Sequence, residues 1–154
     1  GDTTVPLLEQ TIGDNLATTA ARFPDREAIV SVHQGVRMTY AEFDAEVDLM
    51  ARRFLAEGFE VGDRLGIWAP NCVEWALVQY ATAKIGVILV NVNPAYRTHE
   101  LEYALRQSGC RGIVAAQQRV ASGCRSRQDK LVEVDPPRRR GVEPAGGRGE
   151  GKGG

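Results

Sequence analysis

The sequence predicts an α/β fold: a parallel βαβαβ sheet in its central half, followed by a Gly/Arg-rich tail built on a different plan. Three observations carry this reading. Arg64 to Trp68, Val87 to Asn91 and Gly112 to Ala115 are short, apolar runs of the kind found in buried strands. The intervals between them carry helical signals, and strands separated by helices imply crossovers and parallel pairing. Beyond Gln117 the patterning gives way to alternating Arg, Gly, Pro and Ser.

The elements follow in order. Ile12, Leu16, Ala20 and Phe23 recur at spacings of four and three, which predicts a first helix closed by Pro24-Asp25. Glu27 to Val32 is apolar and β-branched. His33-Gln34-Gly35 then has the length and glycine content of a hairpin turn into Val36 to Thr39. Thr39 with Glu42 three residues on forms a capping box, and Tyr40, Phe43, Val47, Met50 and Phe54 set the inner stripe of the next helix. Gly58 stops it. Glu42, Asp44, Glu46 and Asp48 lie in its first half and Arg52-Arg53 near its end, the order that the helix dipole favours.

A turn at Val61-Gly62-Asp63 leads into the strand at Arg64 to Trp68. Asn71 with Glu74, after Pro70, marks a helix start, and that helix runs to about Ile85. Val87 to Asn91 is the second parallel strand. Thr98 is expected to cap a helix carrying Leu101, Ala104 and Leu105, and the third strand begins at Gly112. Ligands of such sheets gather at strand C-terminal ends, here near Trp68 to Asn71 and Asn91 to Arg97.

Charge is divided unevenly along the 154 residues. The net charge of −1 hides an acidic body, with nine Lys/Arg against fifteen Asp/Glu in residues 1–110, and a basic remainder with ten against five. Nine of the seventeen glycines also fall in that remainder, beside Pro136, Pro137 and Pro144. Such a stretch buries too little apolar surface to offset its ordering entropy. Cys72, Cys110 and Cys124 are far apart and in no metal-type spacing, which argues against a disulfide scaffold or a zinc site. No run approaches the roughly 18 apolar residues of a membrane span. The start, Gly1-Asp2-Thr3-Thr4, has no secretory pattern, so a cytoplasmic protein is the default expectation. Without an initiator Met, the chain is expected to begin inside a longer reading frame.

Two motifs carry a resemblance. Met38-Thr39-Tyr40-Ala41-Glu42-Phe43 resembles the first core motif of the adenylate-forming superfamily, and Ala83 to Pro94 (AKIGVILVNVNP) resembles its second. From Leu7 to Ala116 the chain is similar to the start of AMP-forming acyl-CoA synthetases, and Asn91 to Leu105 leans toward the fatty and medium-chain acid group. The resemblance implies that residues 1–116 are a partial N-terminal adenylate-forming (AMP-binding) domain, and the composition implies that residues 117–154 are a disordered tail.

By the same resemblance, the parent enzyme uses ATP and Mg2+ to turn a carboxylic acid into an acyl-adenylate, then passes the acyl group to coenzyme A. That chemistry needs a Ser/Thr/Gly-rich loop ending in lysine, because anions bind best where several donors converge. It also needs residues that hold adenine and ribose, and a lysine on a C-terminal domain. None of these motifs occurs in the 154 residues. No catalytic, cofactor-binding or metal-binding residue is therefore carried over. ATP, Mg2+ and coenzyme A are expected for the parent and not for this chain.

Several residues invite sharper readings and fail them. Gly146 to Gly153 has P-loop spacing with Gly146, Gly151 and Lys152 in place. However, Gly153 replaces the Mg2+-binding hydroxyl, no strand precedes the loop and no helix follows. Arg138-Arg139-Arg140 is a basic run without aromatic residues to stack on bases, so nucleic-acid binding is not expected. His99, between Thr98 and Glu100, falls in a helix's first turn, where a solvated polar residue is the common case. Cys72 and Cys110 read as small buried hydrophobes, and Trp68 and Trp75 as core packing around the Pro70 turn.

GC-rich coding DNA read out of frame yields the composition seen from about Gln117 onward, so a shifted frame or an unrelated junction is the expectation for the tail. Three function classes stay open: an inactive N-terminal fragment of an acid-CoA ligase, a free-standing small-ligand-binding α/β module, and a nucleic-acid interaction protein using the basic tail. A sheet that ended after Ala115 would leave an edge strand open, so poor solubility or loose packing is expected of the isolated chain.

Overall fold

The computed structural model describes residues 8–115 and the strand Lys130–Glu133. In chain order the elements are α1 (Ile12–Arg22), β1 (Glu27–Ser31), β2 (Val36–Thr39), α2 (Tyr40–Ala56), β3 (Arg64–Trp68), α3 (Val73–Lys84), β4 (Ile88–Asn91), α4 (Thr98–Ser108), β5 (Gly112–Ala115) and β6 (Lys130–Glu133). β1 and β2 pair antiparallel as a hairpin. The main sheet has the order β4-β3-β5-β6, with β3 parallel to both β4 and β5. The parallel βαβαβ unit is thus present, with each predicted strand within one residue of its expected start.

β6 was not among the predicted elements. Lys130–Glu133 runs antiparallel to β5, with Ile113 opposite Val132 and Val114 opposite Leu131. It lies inside the segment 117–154 expected to lack order, and it covers the edge of β5 that would otherwise lie open. The rest of that segment, including Cys124, Arg138-Arg139-Arg140 and the P-loop-like glycines, lies outside the described residues.

Strand alternation divides the side chains between two faces. Leu65, Ile67, Leu89 and Val114 join the larger core with Phe43, Val47, Phe54, Leu77 and Val78 from the helices. Trp68, Val90 and Ile113 turn to the opposite face, where Val92, Leu105 and Cys110 complete a smaller cluster under α4. Among the described residues, α1, α2 and α3 therefore cover one face together, while α4 covers the other.

Local sequence explains most of this. At the start of α2 the capping box closes in both directions: Glu42 N–H donates to Thr39 Oγ1 at 3.3 Å, and Thr39 N–H donates to Glu42 Oε2 at 2.8 Å. Phe43, Val47, Ala51 and Phe54 form its buried stripe. Gly58 follows at φ +81°, the left-handed conformation that only glycine adopts without strain.

Three expectations need correction. Ile12 is 57% exposed, and Gly13 takes the inward place beside Leu16 and Ala20. A Cβ on Gly13 would lie 2.9 Å from Lys84 Cγ and 3.2 Å from Lys84 Cα, so α1 is rotated to bring its bare backbone against the end of α3. The N-cap of α3 is Cys72 rather than Asn71, and that of α4 is Arg97 rather than Thr98. At α3 a residue from another element satisfies the helix start, whereas at α4 Glu100, three residues on, does so locally.

Candidate functional site

The loops after β3 and β4 are where a parallel sheet places its ligands. The structure brings them together: Val92 N–H donates to Ile67 O at 2.9 Å, which anchors the start of the Asn91–Arg97 loop beside the end of β3. That loop is locally self-satisfied. Ala95 N–H donates to Asn93 Oδ1 at 2.9 Å, an Asx turn, and Arg97 N–H donates to Glu100 Oε2 at 2.8 Å at the start of α4.

The start of α3 is capped from a distance. Gln34, in the turn of the β1–β2 hairpin, accepts from Val73 N–H at 2.8 Å through Oε1 and donates from Nε2 to Glu74 Oε2 at 2.8 Å. Ser31 Oγ donates to the same Oε1 at 3.0 Å. The hairpin thus supplies the acceptor that an N-cap side chain gives in other helices, and Glu74 adds an acidic group in the first turn. Replacing Gln34 by alanine is expected to cost about 0.5–2 kcal/mol, the range for a lost cap. Amide exchange should quicken most at Val73; a change confined to the hairpin would contradict the cross-element cap.

A second anchor lies at the opposite end of the strands. Arg111 donates to Gly58 O and to Asp63 Oδ2, the latter at 2.7 Å, and its guanidinium lies 5.1 Å from the centre of the Phe59 ring. Glu60 N–H also donates to Asp63 Oδ2 at 2.9 Å. These groups hold the α2–β3 turn against the start of β5 and point to no reaction.

The residues considered from sequence now have places. His99 is exposed in the first turn of α4. Trp75 packs on the larger core and Trp68 on the smaller one, in keeping with the packing reading of both. Trp68 carries the sole buried side-chain polar atom without a partner among the described residues, its Nε1. Cys110 is buried; burial pushes its thiol up, against a hydrogen bond with Ser108, so it stays a neutral thiol. Cys72 departs from its expected burial: it is half-exposed at the α3 N-cap.

No group of three or more His, Cys, Asp or Glu suited to a metal occurs among the described residues. Lys84, the one lysine in residues 8–115, is committed to Asp44 and Asp48 at 2.6 Å each. The first donor of α3 is already taken by Gln34. An open groove of about 270 Å3 is lined by Leu8, Gln10, Thr11, Ile12, Asn15 and Tyr80, none of which lies at the strand ends.

Comparison with known proteins gives this scaffold its kinship. The family described as AMP-binding enzyme matches residues 16–147. The chain belongs to that family. The match runs past residue 117. Within the AMP-binding enzymes, the chain is 51% identical over 118 residues to the mitochondrial medium-chain acyl-CoA ligase ACSF2 of Mus musculus. That alignment takes in 77% of this chain and 19% of the relative, so the chain spans about a fifth of the relative's length. The human ACSF2 is 49% identical over the same extent.

Solved structures agree with the fold. The N-terminal domain of FACL13 from Mycobacterium tuberculosis superposes with a TM-score of 0.67 at 32% identity, covering 69% of this chain and 27% of that one. The α/β architecture with its parallel sheet is the N-terminal architecture of adenylate-forming enzymes. No helix among the described residues is long and apolar enough to cross a membrane.

Proposed function

We propose that this chain is the N-terminal part of an ATP-dependent acid-CoA ligase that converts a fatty or medium-chain carboxylic acid to its adenylate and then to the CoA thioester. The observation that carries the reading is the 51% identity over 118 residues to a medium-chain acyl-CoA ligase. The parent uses ATP, Mg2+ and coenzyme A, and this chain contributes scaffold without catalytic groups. The family match favours this over a free-standing ligand module or a nucleic-acid interaction protein.

Two experiments test it. A chimera in which this segment replaces the matched 118 residues of the mouse relative is expected to retain acyl-CoA formation; a folded chimera without turnover would sink the reading. The chain alone is expected to give no ATP–pyrophosphate exchange with short, medium or long fatty acids, and exchange above background would refute its role as scaffold.

Domain boundary and compartment belong to the same proposal. The division near 117 rests on the change in composition, and translating the underlying DNA in its other frames tests it: recovery of a phosphate-binding loop supports a frame shift. A cytoplasmic location remains the default, set against relatives whose names place them in mitochondria. Cell fractionation distinguishes the two.

A further inference from the structure

We infer that Arg22 and Arg26, both stacked on the ring of Phe23, form a clamp for a phosphoryl anion at the end of α1.

Arg22 closes α1, Phe23 is its C-cap, and Pro24 and Asp25 lead through a turn to Arg26, one residue before β1. The turn is tied on both sides. Phe23 N–H donates to Thr19 O at 2.9 Å and Arg26 N–H to Phe23 O at 3.2 Å, while Tyr40 N–H donates to Arg26 O at 2.9 Å and Ala41 N–H to Pro24 O at 3.1 Å. Backbone bonds to α1 and to the start of α2 therefore fix where both arginine stems begin. Each guanidinium carbon lies 4.9 Å from the centre of the Phe23 ring, so the two can be no farther apart than twice that distance. The helix dipole accounts for a cation at Arg22. It does not account for Arg26, which lies beyond the helix.

Stacking engages the face of a guanidinium and leaves its five in-plane N–H donors unused. Among the described residues neither Arg22 nor Arg26 meets a carboxylate: the ion pairs are those of Arg37, Lys84, Arg106 and Arg111. Glu27, next to Arg26 in sequence, pairs with Arg37, and Asp25 pairs with neither arginine. Two exposed like charges are thus held against one ring, in a body where acidic residues outnumber basic ones by fifteen to nine. A bound anion answers both their repulsion and their unused donors. A single carboxylate occupies one fork, whereas a phosphoryl group offers three terminal oxygens and up to two charges, and a diphosphate can present one group to each fork.

The test is titration of the isotope-labelled, full 154-residue chain with pyrophosphate, orthophosphate and polyglutamate, at one ionic strength held by sodium chloride. Saturable shifts of the Arg22 and Arg26 Nε–H signals are expected, with pyrophosphate the tighter of the two phosphates. Arg22→Gln and Arg26→Gln should each weaken binding about tenfold or more, the size of a lost charge-assisted contact. Phe23→Leu keeps both charges and removes the ring, so a loss of about twofold to fivefold is expected. Circular dichroism checks its fold, and the two exposed arginine variants decide the matter if it unfolds. Arg52→Gln should change nothing. Phosphatidylcholine vesicles with and without phosphatidic acid separate the sources. Binding to the acidic vesicles without response to the free anions, abolished by both glutamine variants, assigns a lipid headgroup, and response to the free anions assigns a soluble phosphate. Three results overturn the inference: no response to anions or vesicles, equal affinity for polyglutamate, or binding indifferent to Arg22→Gln and Arg26→Gln.

Discussion

Phe43→Ala is expected to lower the unfolding free energy by about 3–5 kcal/mol, the range for deleting a buried aromatic side chain. Phe43 is 3% exposed and sits one turn into α2, where the Thr39–Glu42 capping box fixes the rotation of the helix. Its ring meets the edge of Tyr80 on α3, with centroids 5.3 Å apart and planes at 80°. That edge-to-face geometry adds about 0.5–1.5 kcal/mol beyond the area buried. Small domains are stable by only about 5–15 kcal/mol, so this loss is a large fraction of the total and should move the unfolding midpoint to much lower denaturant. Urea denaturation followed by circular dichroism measures this, and Phe43→Leu, which keeps much of the volume, should fall well short of the alanine effect. An alanine cost below about 1 kcal/mol would mean that α2 and α3 do not share a packed core. It would favour the loosely packed state expected from an incomplete sheet.

Lys84→Ala is the second large effect. Lys84 lies at the end of α3 with its side chain 16% exposed, and its ammonium donates to Asp44 Oδ1 and Asp48 Oδ1 at 2.6 Å each. Asp44 and Asp48 are one turn apart on α2, so removing the lysine leaves two like charges facing each other. A fully buried pair broken in this way costs about 3–5 kcal/mol. Asp48 is 47% exposed, and solvent screening reduces the expected cost to about 1–3 kcal/mol. Lys84→Met keeps the stem against Gly13, and a double-mutant cycle with Asp44→Asn isolates the charge contribution.

The pH dependence follows in sign. Burial alone would lower the Lys84 pKa, but hydrogen bonds and charge from Asp44 and Asp48 outweigh it and hold the folded-state value above the ordinary 10.5. A raised pKa means that the folded state holds its proton more tightly than the unfolded state. The stabilisation is therefore complete below about 10.5 and is lost as pH rises through the folded value. The stability difference between the parent chain and Lys84→Met should be flat at lower pH and shrink above that point. A difference that grows with alkalinity would contradict the arrangement.

Local pattern made much of the fold legible. The strands at Arg64–Trp68 and Gly112–Ala115 fall where apolar runs placed them, and the Thr39–Glu42 box and Gly58 stop set α2 because each acts within a few residues of its own position. The strand-end loops near Trp68 to Asn71 and Asn91 to Arg97 were legible as well, because strand and helix signals bracket each of them. Long-range features were not. Gln34 capping α3 spans 39 residues, Lys84 reaching Asp44 spans 40 and Arg111 reaching Asp63 spans 48, and no periodicity connects such pairs.

The sequence by itself determined the order and type of the helices and parallel strands and the family to which they belong, since both are written in neighbouring residues. Tertiary structure alone decided that Gly13 rather than Ile12 faces inward, that a hairpin glutamine caps α3 and that β6 pairs with the edge of β5. The physical reason is that each of these depends on which distant backbone arrives to satisfy a hydrogen-bonding group or fill a space. Packing sets that arrival, and local propensity does not.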